Sequence, residues 1–257
     1  MVKGDPTKAA RWPDNVCVRV TSHQDGNLAV HTNDDPDVVA RNRDRLAASL
    51  PGLPVWLRQV HGHEVATVSP IQQAESTADA SYTRAVDTPL GILVADCLPV
   101  LITSTDGLEI AAIHAGWRGL AERIIERTVT RFDASSLVAQ MGPCIGPCHY
   151  EVDAIVRDRM APEEQRIGFL ANREGHFRMD LQQIARYQLG QCGVEVLKED
   201  DRCTACSALS DREDHLYSHR LGSQMGKPEI RRFAALIWRE VGQEVVSSSR
   251  HRVLGYV

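Results

Sequence analysis

Asp106-Gly107 lies between two apolar runs, residues 100–102 on one side and 108–113 on the other. Asp-Gly in that setting is the strongest short-range signal for a β-hairpin, because both residues tolerate the backbone conformation of a tight turn. Counting outward from a two-residue turn places Pro99 opposite His114 and Cys97 opposite Gly116. Cys97 and His114 are then diagonal neighbours on one face, with Cα atoms about 7–8 Å apart. A sulfur and an imidazole so placed can share a metal ion at about 2.3 and 2.0 Å. The geometry depends on the turn: a longer loop is expected to change the register, and Pro99 cannot donate to a ladder.

The same patterning predicts the other elements. Residues 16–20 alternate as a strand, and Asp34-Asp35-Pro36 opens a helix with Val38, Val39, Asn42, Leu46 and Ala47 at helical spacing. Residues 55–60 read as a strand ending in His61-Gly62, and 72–78 as a polar loop. Beyond Gly119, the residues Leu120, Ile124, Ile125, Thr128, Val129 and Phe132 form one face of a single predicted helix. Further strands are expected at 91–95, 137–141, 194–197 and 233–238, and helices around 152–160 and 181–191. No repeat or low-complexity linker divides the chain. The expectation is one α/β domain over residues 16–242, with a flexible arm at 1–15 and a polar tail at 243–257.

A net charge of -5 without a basic patch offers no footprint for nucleic acid or an anionic membrane. No apolar run approaches the roughly 18 residues of a membrane span, and the first fifteen residues lack the apolar core of a signal peptide, so a cytoplasmic protein is expected. Seven cysteines at irregular spacings are an odd number in a chain too long to need disulfide staples. Metal binding or thiolate chemistry is the better use for any cysteine that matters.

His61 resembles His114 in placement, since each follows a predicted strand, with Gly62 directly after His61 and Gly116 two residues after His114. Strand ends are where α/β proteins present functional side chains. His61, Cys97 and His114 converging at one rim make a three-ligand zinc set that leaves a position open for water, as in a catalytic site. Asp96 could orient a ligand, act as a base, or point to the opposite face of the pleat. Arg118 at a helix start suits an anion. Ordinary explanations stay open beside these: hydrogen-bonded structural histidines, a buried cysteine, a packed Trp117, and a surface Arg118 ion pair worth about 0–1 kcal/mol. A competing metal reading joins Cys203-Thr-Ala-Cys206 to Cys144, Cys148 and His149 as a structural zinc site, although the glycines and prolines of 142–148 fit a sharp pocket loop equally well.

Gln59-Val-His-Gly62, Ala78-Asp-Ala80, Ala95-Asp-Cys-Leu-Pro-Val100, His114-Ala-Gly-Trp-Arg-Gly119, Gly142-Pro-Cys-Ile-Gly-Pro147, Tyr150-Glu-Val152 and Asp201-Arg-Cys-Thr204 resemble, in this order, the motifs of the YfiH or laccase-domain family. The resemblance implies a single α/β domain with β-sheets between helical layers, similar to the cysteine-hydrolase-like fold of the cytotoxic necrotizing factor catalytic domain. It implies a catalytic zinc on His61, Cys97 and His114, and phosphorolysis of adenosine, inosine, guanosine and methylthioadenosine with adenosine deamination. The partners implied are a nucleoside and phosphate, the latter assigned by charge and motif position to Arg58, Arg118 and Arg220. Two alternatives accompany it: a cysteine-type amidase editing peptidoglycan precursors, with Cys97 as nucleophile and His114 as base, and a copper polyphenol oxidase. Multicopper chemistry needs more histidine ligands than this triad provides. The chain departs from the family in lacking a Gly-Gly-Val-Ser-type loop, in an expanded 225–232 segment, and in Cys206, which the family pattern does not call for.

Overall fold

In the computed structural model, which describes residues 11–69 and 75–241, every residue of Leu98–Ser104 and of Ile110–Ala115 is buried. Neighbouring side chains on a strand point to opposite faces, so burial throughout requires a cover on both sides. The other elements supply those covers. In chain order the strands are β1 (Val16–Val20), β2 (Leu57–Arg58), β3 (Val65–Thr67), β4 (Ser76–Thr77), β5 (Ala80–Thr83), β6 (Leu90–Val94), β7 (Leu98–Ser104), β8 (Ile110–Ala115), β9 (Leu137–Met141), β10 (Glu151–Asp153), β11 (Phe169–Arg173), β12 (His176–Met179), β13 (Val194–Glu199) and β14 (Phe233–Arg239). The α-helices are α1 (Pro36–Ala47), α2 (Trp117–Ala121), α3 (Ile124–Val129), α4 (Ala154–Arg157), α5 (Pro162–Gly168), α6 (Leu181–Gln191), α7 (Thr204–Ala208) and α8 (His219–Gln224).

Six strands form the central sheet in the order β13-β9-β7-β8-β5-β3. Val100, Ile102, Ala111 and Ile113 pack one of its faces against Leu120, Ile124 and Ile125 of α2 and α3 and Ile184 of α6. Leu101, Ile110 and Ala112 point the other way, onto Ile92, Phe233 and Ile237 of a second sheet ordered β1-β14-β6. The far side of that sheet, through Leu93, Ala234 and Leu236, meets Leu46 of α1 and Trp56. The result is helix, sheet, sheet, helix, in agreement with sheets held between helical layers. Trp56 lies so close across β6 that a Cβ at Gly91 would fall 2.6 Å from its ring.

The hairpin register matches the count from Asp106-Gly107: Pro99 pairs with His114 and Leu98 with Ala115. The turn itself differs. Ser104 and Glu109 close a four-residue loop, in which Gly107 takes φ 69° and donates its N–H to the Ser104 carbonyl. A loop lengthened equally on both sides keeps the same centre, so the register survives. Pro99 is tolerated because β9 pairs only from Val100 onward and the Pro99 carbonyl still accepts from Gly142.

Three other expectations need correction. The single helix predicted beyond Gly119 is broken at Arg123, which adopts a left-handed φ of 63° between α2 and α3 and directs its guanidinium to the buried Glu164. The strand expected over 55–60 shrinks to β2, because Gln59 turns its side-chain amide onto the backbone of Leu93, donating to its carbonyl and accepting from its N–H, each at 2.8 Å. The helix expected over 152–160 is α4 alone, since residues 151–153 are drawn into β10 by pairing with β12. Within the expected polar loop at 72–78, residues 76–77 form β4, and 70–74 lie outside the described residues. The tail at 243–257 and the first ten residues of the expected arm also lie outside them. Trp12 and Asn15, at the end of that arm, bond the carbonyls of Val16 and Gly107.

Candidate metal centre and active cavity

His61, Cys97 and His114 come from three separate segments of the chain. Cys97 immediately precedes β7, and His114 sits on β8 diagonally across from it, as the hairpin dictates. His61 is brought to them by Asp79. The two carboxyl oxygens of Asp79 accept three consecutive backbone N–H groups, from Val60 at 3.1 Å, His61 at 2.9 Å and Gly62 at 2.7 Å. Curling three N–H groups around one anion requires a nest, and His61 accordingly takes φ 59°. Asp79 also accepts from the His114 ring, Nδ1 to Oδ1 2.8 Å, while its own carbonyl accepts the His114 N–H.

One ligand atom from each of the three residues lies within 4.8 Å of the others. The two imidazole rings meet edge to face at 4.8 Å between centroids. His114 and Asp79 are buried, Cys97 is half-buried and His61 is exposed, so the cluster is open on one side. A thiolate with two imidazoles, one of them held through its remote nitrogen by a carboxylate, fits zinc and its usual supporting shell. Burial by itself raises the Cys97 thiol, but the charge and hydrogen bond of His114 and a hydrogen bond from His61 outweigh it and bring it down to about 6. Burial conversely lowers His114, and the opposing pull of Cys97 and Asp79 raises it to about 9. In the metal-free site His114 thus favours the thiolate of Cys97, and Cys97 with Asp79 favours the protonated imidazole.

Gly116 keeps this space clear, since a Cβ there would sit 3.0 Å from the Cys97 sulfur. Above the cluster lies a cavity of about 280 Å³, near the lower end of ordinary ligand pockets at about 300 Å³. Its wall includes Trp117, Arg118, Tyr150, Arg220 and Arg232. Arg118 lies over the Trp117 ring at 4.7 Å and Arg220 over Tyr150 at 5.1 Å. Arg220 donates to the Glu151 carbonyl, and Arg232 to those of Glu229 and Arg231. No ion pair among the described residues engages Arg118, Arg220 or Arg232, although the charges of Asp96, Cys97 and Glu229 act on Arg232, so their remaining N–H groups can turn to an anion.

Two of the three arginines expected at the site, Arg118 and Arg220, line the cavity, and Arg58 does not. Leu57 is buried and strand alternation turns Arg58 outward to solvent. Arg232 takes a place in the wall that sequence reasoning did not assign; the signal available was a pair of arginines directly before a buried strand. Asp79 was likewise unassigned, although a carboxylate beside β5 stands in one of the motifs. Asp96 lines the cavity beside Cys97, and its oxygens accept from the Thr204 hydroxyl at 2.6 Å and the Arg220 backbone N–H at 2.6 Å, tying α7 and α8 to the start of β7. No helix among the described residues is long and apolar enough to cross a membrane.

A second cluster joins Cys148, His149, Cys203 and Cys206. Cys144 is not part of it. Its side chain belongs to the core, and burial pushes its thiol well above the ordinary range.

The profile of the family described as multi-copper polyphenol oxidoreductase laccase matches residues 16–240. Purine nucleoside phosphorylase YfiH of Escherichia coli K12 is 38% identical over 217 residues, covering 82% of this chain and 85% of the relative. A Pseudomonas aeruginosa purine nucleoside phosphorylase is 37% identical over 243 residues, covering 88% and 96%. Among solved structures, Neisseria meningitidis NMB0706 superposes with a TM-score of 0.80 at 30% identity, over 90% of this chain and 98% of that one. YlmD from Geobacillus stearothermophilus follows at 0.76 and 27%, over 89% and 93%. With the profile spanning nearly all of the described fold and the motifs falling around one cavity, the chain belongs to the laccase-domain family of YfiH proteins.

Proposed function

We propose that the chain is a zinc-dependent purine nucleoside phosphorylase that also deaminates adenosine. The observation that carries this reading is the junction of a three-donor centre, His61, Cys97 and His114, with a cavity walled by arginines and aromatic rings. Relatives named purine nucleoside phosphorylase support it. Arg118, Arg220 and Arg232 would hold phosphate, and Trp117 and Tyr150 offer flat faces to a purine. In phosphorolysis a phosphate oxygen bonds to the ribose C1 position as the bond to the base nitrogen breaks, and the base departs with a proton. In deamination water replaces the amino group and ammonia leaves. Zinc on the three donors would supply Lewis-acid stabilisation of negative charge and a more acidic water. Asp79 keeps His114 turned toward the centre throughout.

Copper is a poorer fit. A multicopper reaction needs several centres, whereas the other donor cluster among the described residues carries three thiols and one imidazole. The test is purified, metal-assayed protein with inosine or adenosine and phosphate. Ribose 1-phosphate with free base is expected, and ammonia from adenosine; the absence of all three products refutes the proposal.

One observation favours a second reading. Asp79, His114 and Cys97 form a continuous series in which a carboxylate orients an imidazole beside an acidic thiol, the arrangement of a cysteine hydrolase acting on an amide such as a peptidoglycan precursor. That enzyme retains activity without metal and is trapped at Cys97 by an alkylating substrate analogue. Loss of activity on chelation excludes it.

A further inference from the structure

Cys148 and His149 stand on the loop that follows β9, and Cys203 and Cys206 lie at the start of α7 and within it. The two pairs are far apart in sequence but their four ligand atoms gather within 4.8 Å. The His149 Nδ1 lies 3.3 Å from the Cys148 sulfur, 3.5 Å from that of Cys206 and 3.8 Å from that of Cys203, and the Cys148 and Cys206 sulfurs are 3.7 Å apart. A tetrahedron with zinc–sulfur bonds of about 2.3 Å and a zinc–nitrogen bond of about 2.0 Å has edges of about 3.5 Å from sulfur to nitrogen and about 3.8 Å between sulfurs. These four separations lie close to those edges, and the Cys203 sulfur lies within 4.8 Å of the other two sulfurs.

We propose that Cys148, His149, Cys203 and Cys206 hold a structural Zn²⁺ ion, separate from the centre on His61, Cys97 and His114. Three thiolates and one imidazole complete a tetrahedral shell with no position for water, which is the composition of a structural site. All three cysteines are unbonded, and Cys148 and Cys206 are exposed, so an ion can enter from solvent. As the sulfurs take the ion their protons pass to solvent. The Gly146 N–H donates to the Cys203 sulfur at 3.2 Å, where it stabilises negative charge.

The position gives the ion a task. Tyr150, next to His149, lines the active cavity, and Thr204 of α7 donates to Asp96 beside Cys97. The two segments already touch through a bridge between Cys144 and Cys203 and a hydrogen bond from the Thr204 N–H to the Cys144 carbonyl. The ion staples the loop carrying Tyr150 to the helix that anchors Asp96, and so fixes one wall of the cavity without touching substrate.

The test separates the two centres. Cys97→Ala removes a ligand from the first; purified under reducing conditions and supplied with zinc, it is expected to retain one tightly held ion per chain. Its X-ray absorption spectrum should show three sulfurs and one nitrogen, and Co²⁺ in its place should give thiolate-to-metal charge-transfer bands. Adding Cys206→Ser should abolish both signals. Should that double variant not fold, the wild-type chain keeps the test open, with two zinc ions per chain expected. The proposal is overturned if zinc-supplied Cys97→Ala binds no zinc, if the bound zinc lacks a sulfur-rich shell, or if reduced protein carries a Cys148–Cys206 disulfide.

Discussion

Replacing Asp79 with Asn keeps the shape of the side chain and removes what holds the two histidines together. In the wild type one carboxyl oxygen accepts from His61 N–H and His114 Nδ1 and the other from Val60 and Gly62 N–H. An amide has one accepting oxygen, so in either orientation its NH₂ faces two donors. Each buried donor left unsatisfied costs about 1–3 kcal/mol. Half-burial of the 60–62 turn lets water soften part of that, so the expected loss is about 2–3 kcal/mol, read by urea unfolding of metal-free protein. Zinc affinity at the His61, Cys97 and His114 centre should fall about 10–100-fold, read by chelator competition. The pH dependence has a definite sign. Burial raises the Asp79 carboxyl, but the hydrogen bond and charge of His114 and the backbone N–H groups outweigh it and leave it lowered. A lowered carboxyl contributes stability that is fully present above the unfolded value of about 3.9 and is lost as pH falls through the folded one. The gap between wild type and variant should therefore close in acid below about pH 4. Equal zinc affinity together with a stability gap of zero at pH 7 would refute this reasoning.

Three further outcomes follow from the same geometry. In metal-free protein the alkylation rate of Cys97 should level off above its value of about 6, whereas an ordinary thiol keeps gaining reactivity through about 8.5; a rate still climbing at pH 9 contradicts the thiolate–imidazolium pair. Arg118→Ala, on an exposed side chain, should raise the KM for phosphate about tenfold, the loss of about 1.4 kcal/mol, while Arg58→Ala should leave it unchanged. Gly116→Ala brings a methyl group to 3.0 Å from the Cys97 sulfur and should cut activity about 100-fold through displacement of the centre, with circular dichroism showing the fold intact.

The hairpin and the ligand pair on it could be read from residues 96 to 116 because they depend on local chemistry. Asp-Gly marks the turn, strand periodicity sets the register, and the register alone puts Cys97 diagonal to His114. The apolar runs likewise announced strands, and Asp35-Pro36 announced α1. Other features depend on groups distant in sequence. The break at Arg123 follows from Glu164, and the shortened strand before His61 from Leu93 and Asp79. Arg58 and Arg118 are both basic residues within motifs, and no local pattern distinguishes the one that faces water from the one that faces the cavity. Cys203 and Cys206 could be joined to Cys144, Cys148 and His149 from the sequence, but no local pattern separated Cys148, which reaches that imidazole, from Cys144, which the core buries. Sequence by itself determined the elements governed by periodicity and turn chemistry, together with the motifs that carry the family. Only the tertiary structure decided which polar groups satisfy one another across the chain, because a buried donor or carboxylate takes whatever partner the packed layers bring within about 3 Å.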